Sequence, residues 1–344
     1  MNAITYLTRR CPRACGYCAL RDTKDVGPEL TEQQWHQAFE ILKNLGVEFN
    51  LILGNETWLL GESLLTILSK NKVPYALYTT CPEPLFTNYK DKFFSSGIID
   101  NLSCGVDYPI ELPMQHPGRN DDSYKKSVAA WAGLAWVRQN YPDVDTQGTI
   151  TIHKLNYKEV PEIITNLSNL GIFVGVNFIH YNKDGLFDFF PRASEIEPLL
   201  FTESDYPSLI NVLQQILKTP GNLQNPHLLQ YIIEQPEILN MNWHCGGNPY
   251  GGPTIDSDGT LRVCGYRKGT HTPKFTIFDL PEKMDDWKEA VAKDAAECPG
   301  CHWTYPIMYN HLSNKLSEHE RAQIFVHHTK KGDSFVLGSN RKIT

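Results

Sequence analysis

The stretch AITYLTRRCPRACGYC, residues 3–18, begins as an apolar, β-prone run, Ala3 to Thr8, and delivers it to cysteines at positions 11, 15 and 18. A short strand ending in a reactive loop is the unit of parallel α/β folds, whose functional loops gather at the strand carboxyl ends. The next segment fits that unit. Thr31 caps a helix, TEQQWHQAFEILKNLG, with Trp35, Phe39 and Leu42 on one face and Gly46 as its stop. The alternation continues through strand EFNLILG, a helix near 61–70, strand PYALYTT, a helix near 87–96, strand NLSCGVD, helix 122–139, strand GTITIH, helix 157–170 and strand IFVGVNFIH. Six strands alternating with helices predict an α/β fold, a parallel sheet curled into a partial (β/α)6 TIM-like barrel. Its strand ends carry Cys11, Glu56, Cys81, Asp107 and His180.

The core spans 1–200, and a helical linker with a TPGNLQNP break occupies 201–240. A small α+β unit follows at 241–305, and a C-terminal helix and charged tail at 306–344. Within the third unit, WHCGGNPYGGPTIDSDGTLRVCGY reads as two short strands joined at Asp258-Gly259, which brings Cys245 towards Cys264. The CPGC knuckle, Cys298 and Cys301, follows a helical stretch, EKMDDWKEAVAKDAAE. The DSDG segment lacks the later glutamate of a calcium loop and reads as a turn.

The chain has 344 residues, 32 Lys+Arg against 39 Asp+Glu, and no long basic run, a balance that argues against nucleic acid as partner. No apolar run reaches the roughly 18 residues of a membrane helix, and no signal peptide precedes Cys11, so a cytoplasmic location is expected. Nine cysteines are an odd number in a chain too large to need disulfide staples, which directs attention to metal or redox chemistry. Cys11, Cys15 and Cys18 sit close enough to ligate one inorganic centre from one loop. Three local thiols suit a four-iron cluster that keeps one iron open, whereas structural zinc prefers paired knuckles. Cys245, Cys264, Cys298 and Cys301 can ligate a second centre fully, an iron–sulfur cluster or zinc. Cys81 and Cys104 read first as small buried hydrophobes.

CPRACGYC resembles the cluster motif of radical S-adenosylmethionine (SAM) enzymes, with Tyr17 as the aromatic before the last cysteine. LGNET stands where that family usually has two glycines and a glutamate, with Asn55 replacing a glycine; YTTCPEPL and GVDYP stand at its next two strand ends. Cys245, Gly259, Cys264, Cys298 and Cys301 resemble its C-terminal "twitch" auxiliary-cluster domain, the short form of SPASM. The resemblance implies two [4Fe-4S] clusters, SAM, and a flavodoxin- or ferredoxin-type electron donor. It also implies cofactor contacts from Tyr17, Gly54, Asn55, Glu56, Ser103 and Asp107, with Glu56 on the SAM ammonium and Tyr17 by the adenine. The open iron of the first cluster would bind SAM, and reductive cleavage would give a 5'-deoxyadenosyl radical that takes a hydrogen atom from substrate.

A fully ligated second cluster favours electron transfer, hence a two-electron oxidation of a small polar metabolite, with Asp107, His180 or Asn177 orienting or deprotonating it. Alternatives are a radical epimerase with Cys81 returning the hydrogen atom, a peptide-modifying maturase, and a non-catalytic module with two zinc sites. The ten residues ahead of Cys11 leave no room for a front recognition domain, which favours the metabolite over the peptide.

Overall fold

The computed structural model describes residues 2–18, 27–70, 75–110, 122–182, 191–221, 223, 226–240, 252–298, 300 and 301. Six strands, β1 (Asn2–Tyr6), β2 (Phe49–Leu53), β3 (Tyr75–Thr79), β4 (Asn101–Gly105), β5 (Asp145–Ile152) and β6 (Phe173–Phe178), pair in parallel and in sequence order. Between them run α1 (Glu32–Asn44), α2 (Glu62–Ser69), α3 (Leu85–Ser95), α4 (Asp122–Asn140) and α5 (Val160–Asn169). This is the expected α/β partial barrel. Several boundaries differ from the sequence reading by one to three residues, and β5 differs at both ends. β5 starts at Asp145 rather than Gly148, because its register with β4 reaches back to the Asn101↔Asp145 pair. His153 leaves the strand, donating its backbone N–H to Asn156 Oδ1 at 2.8 Å.

Local chemistry explains why these elements form. Thr31 accepts from Gln34 N at 3.3 Å while Gln34 Oε1 accepts from Thr31 N at 2.9 Å, a reciprocal cap that contributes about 1 kcal/mol to α1. Helices cover the outer face of a parallel sheet. Ile52, Leu77, Leu102, Ile150 and Val174 share one face by register, and they and Ile4 are buried. Trp58 packs on Phe86 and Phe93 at centroid distances of 5.0 and 4.8 Å, filling the space between β2 and α3.

The linker contains α6 (Tyr206–Lys218) and α7 (Pro226–Glu234), which pack on each other beside α5. The expected hairpin forms as β7 (Thr254–Ile255) and β8 (Leu261–Arg262), with Gly259 at φ +87° in its turn, and α8 (Leu280–Ala296) follows. The hairpin also extends the main sheet. β7 lies parallel to β1, with Ile4 opposite Thr254 and Thr5 opposite Ile255, so the strand order is β6-β5-β4-β3-β2-β1-β7-β8. No helix among the described residues is long and apolar enough to cross a membrane. Cys245 and the tail at 306–344 lie outside the described residues.

Candidate active site

The loops after β1 and β2 are zipped together at the carboxyl edge. Asn55 N donates to Thr8 O at 3.2 Å, Glu56 N donates to Arg10 O at 2.9 Å, and Asn55 Nδ2 donates to the Arg9 carbonyl. The zipper sets the cysteine loop over the sheet, where a cavity of about 190 Å³ opens. Cys11, Cys15 and Cys18 all line it, with Gly54 and Asn55 after β2. Tyr78, Thr79 and Thr80 contribute from the end of β3, Gly105 from β4, and Lys126 from α4. Asp122, at the start of α4, accepts from Ala14 N at 2.7 Å and so fastens the middle of the loop to the helix.

Beside the cysteines lies a charged core. Asp107, fully buried just past β4, accepts from the Tyr17 hydroxyl and pairs with Lys126 Nζ. Its other oxygen accepts from Thr151 N at 2.7 Å. Lys126 Nζ also donates to the Tyr17 hydroxyl at 2.7 Å. Room for the lysine comes from Gly105, where an added Cβ would meet Nζ at 2.7 Å. Burial pulls the Lys126 ammonium down, but the neighbouring Asp107 carboxylate prevails and its pKa is raised. Burial, joined by Asp107, holds the Tyr17 phenol well above its ordinary value. Behind this group, Asn156 Nδ2 donates to the Asp107 carbonyl at 2.8 Å, and Ser127 Oγ donates to the Ser123 carbonyl at 3.0 Å while accepting from Asp107 N at 2.9 Å.

Glu56 is arranged differently. It is fully buried and does not line the cavity. Oε1 accepts from Thr79 Oγ1 at 2.7 Å and from Trp58 N at 3.2 Å. Oε2 accepts from Thr80 N at 2.8 Å and from Thr80 Oγ1 at 2.6 Å. Its acceptor capacity is taken up by the β3 end rather than turned towards a ligand ammonium. Burial raises its pKa, against the pull of these hydrogen bonds.

The remaining candidates fall away from the cavity lining. Cys81 takes φ +45°, unusual for a side chain other than glycine, and this turns its thiol into the core. Its Sγ lies 3.4 Å from Cys104 Sγ, and it packs against Gly133 of α4, where a Cβ would stand 2.5 Å from the sulfur. The cysteine pair thus matches the plain reading of small buried hydrophobes. Ser103 is buried and shares a 3.1 Å hydroxyl contact with Thr149. His180 stacks on Tyr266 with centroids 4.8 Å apart, and Asn177 sits opposite Thr151 in the β5–β6 register.

Cys298 and Cys301, just past α8, are buried in the main hydrophobic core, and the partly buried Cys264 packs against that core. Asp294 anchors the loop that leads there. Its carboxylate accepts from the backbone N–H groups of Thr270, His271 and Thr272 and from two threonine hydroxyls. Among the described residues no three His, Cys, Asp or Glu side chains converge as ligands of a single metal ion, and the three loop cysteines line one cavity.

No family model matches the chain, and no curated protein matches it in sequence. Solved structures do. Streptococcus suis SuiB bound to S-adenosylmethionine aligns with TM-score 0.51 at 15% identity, over 77% of this chain and 60% of that one. The chain has the radical SAM fold. SuiB bound to precursor peptide SuiA aligns with TM-score 0.56 at 10% identity, over 86% of this chain and 66% of the other. The native anSMEcpe structure with bound AdoMet and Cp18Cys peptide aligns with TM-score 0.51 at 14% identity, over 91% and 97%. This chain therefore spans about 60% of the length of SuiB and nearly all of the length of anSMEcpe. Within the radical SAM fold, the cysteine loop after the first strand is where this chain opens its cavity.

Sequence reasoning missed Lys126, Arg13, Tyr78, Thr79 and Thr80 as cavity residues. Lys126 had a usable signal: it lies four residues before Ala130 and seven before Gly133, both buried on α4, whereas Lys125 has 60% of its side chain exposed.

Proposed function

We propose that this chain is an enzyme of radical SAM chemistry acting on a small polar substrate, most simply by a two-electron oxidation. The observation that carries the reading is a single loop presenting Cys11, Cys15 and Cys18 to one cavity at the carboxyl ends of a parallel sheet, with a buried Tyr17–Asp107–Lys126 group beside them. The residues fit the cofactors. Three thiols from one loop, lining one cavity, are the donor set of a four-iron cluster with one iron open. SAM carries a carboxylate and a sulfonium, and when bound to that cluster it supplies hydrogen-abstracting chemistry through one-electron cleavage.

The chain's own part is to hold and orient. Lys126 and Arg13 bring positive charge to the cavity wall for a carboxylate. Asp107 keeps Lys126 charged and aimed, and Gly105 leaves the space for it. Thr80 and Asn55 offer polar atoms from the neighbouring strand ends. Glu56 acts from behind the wall by fixing Thr79 and Thr80, a different use from the ammonium contact its place in LGNET implies. Cys264, Cys298 and Cys301, with Cys245, are assigned to an auxiliary cluster of the twitch type that takes an electron from the substrate. Reduction of the first cluster calls for a flavodoxin- or ferredoxin-type donor. Cys81 lies in the core against Cys104, so its placement lends no support to the epimerase alternative. A peptide substrate is the second reading, favoured by likeness to the peptide-bound SuiB and anSMEcpe structures.

Iron and sulfide analysis after anaerobic reconstitution tests the proposal. About eight irons per chain are expected, falling to about four when Cys11, Cys15 and Cys18 are all changed to Ala. A colourless protein carrying two zinc ions would overturn it. Lys126→Ala is expected to weaken SAM binding at least tenfold in equilibrium titration while leaving the iron content intact. Incubation with dithionite and SAM, analysed by mass spectrometry for deoxyadenosine, checks the cleavage itself.

A further inference from the structure

A second buried ion cluster lies outside the cavity, at the joint between β1 and the C-terminal hairpin. Arg9 sets a two-pronged contact on Asp256, Nε to Oδ1 at 2.6 Å and Nη2 to Oδ2 at 2.7 Å, and Arg262 adds Nη1 to Oδ2 at 2.8 Å. Both arginines are fully buried. The Arg9 guanidinium lies 4.0 Å over the Tyr6 ring, whose hydroxyl donates to the Gly265 carbonyl at 2.5 Å. Glu29 completes the joint on the other side, accepting from the Thr8 hydroxyl at 2.6 Å and from Arg9 N at 2.9 Å, and Leu30 N donates to Ser257 O at 2.7 Å.

These residues flank the two cysteine sets. Arg9 stands two positions before Cys11, Arg262 two before Cys264, and Gly265 directly follows Cys264. Three buried charges are an expensive way to close a sheet edge, since desolvation offsets most of their attraction and apolar side chains would serve as well. What a buried, fork-shaped network supplies is one fixed geometry.

We propose that Asp256 is a positioning residue, whose carboxylate holds the Cys11 loop and the Cys264 turn in a single fixed relation so that the two cysteine sets are presented as halves of one assembly. The purpose rests on reading those cysteines as cluster ligands, but the test needs no metal.

In the metal-free full chain, alkylation rates by iodoacetamide are read for each cysteine by mass spectrometry. Asp256→Asn is expected to raise the rates of Cys11, Cys15, Cys18 and Cys264 together by about tenfold, the factor that follows from losing charge-assisted hydrogen bonds. Cys81 and Cys104, in the core beside β3 and β4, keep their wild-type rates and serve as the internal reference. Tyr6→Phe cuts only the bond to Gly265 and is expected to raise Cys264 alone, by less. The proposal is overturned if Asp256→Asn leaves the three loop cysteines unchanged, or if Cys81 and Cys104 rise in step with them, which would mark plain loss of stability. If the wild-type chain takes up no iron on reconstitution, the cluster reading falls, and the labelling rates still decide the joint.

Discussion

Two carboxylates are buried at the ends of strands on either side of β3, and the chain solves the problem of each in opposite ways. Asp107 beyond β4 is matched by a cation, Lys126, and a phenol, Tyr17. Glu56 beyond β2 is matched by four neutral donors from Trp58, Thr79 and Thr80. A charge pair at the cavity wall leaves an ammonium available to a ligand while the carboxylate stays covered. A ring of neutral donors ties up the carboxylate itself, so Glu56 builds the wall and offers nothing beyond it. Burial depth alone would have made the two acids equivalent; their partners set them apart.

The comparison can be broken most forcefully at the cation. Lys126→Met leaves Asp107 buried and uncompensated, and denaturant unfolding is expected to show a loss of about 3–5 kcal/mol. The Asp107→Asn/Lys126→Met double variant should recover part of it, and a purely additive cycle would disprove the coupling. At the other acid, Glu56→Gln turns an amide N–H₂ towards donors and is expected to cost about 1–3 kcal/mol. It should also change the pH profile. A carboxyl whose folded pKa lies above its ordinary value of 4.5 gives stability that is fully present below that value and lost as pH rises through the folded pKa. Unfolding measured from pH 4 upward is therefore expected to decline less steeply in Glu56→Gln than in the wild type.

Smaller effects sharpen the contrast. Thr80→Val keeps the backbone N–H but removes one hydroxyl donor to Glu56, an expected loss of about 1 kcal/mol in thermal denaturation. Lys125→Ala, one residue from the buried lysine, removes only an exposed 3.4 Å contact with Asp122 and should fall within about 0.5 kcal/mol of wild type. A Lys125 effect as large as that of Lys126 would mean that the helix register around Asp107 is misassigned.

Much of this was legible in the chain. The six core strands were legible from their regular alternation with helices, and the loop cysteines announced themselves by spacing. Asp107 was legible as a strand-end acid, but its partner was not, because Lys125 and Lys126 are the same residue type and only the turn of α4 separates them. The partners of Glu56 were hidden for another reason. Its orientation depends on Thr79 and Thr80, 23 and 24 residues away, whose hydroxyls the local sequence around LGNET does not reveal. The place of Cys81 just past a strand did not reveal its orientation, since β3 ends at Thr79 and the backbone turns to φ +45° at the thiol.

The pairing of β1 with β7 also governs when the molecule can be finished. Arg9 and Asp256 are 247 residues apart in sequence, so a chain emerging from the ribosome carries its first strand with one edge open and one buried cation unmatched until the hairpin appears. The α/β units between them can form as they are made, whereas the strand that leads into the cysteine loop is completed among the last, a high-contact-order closure that makes synthesis to about Arg262 the condition for a settled site.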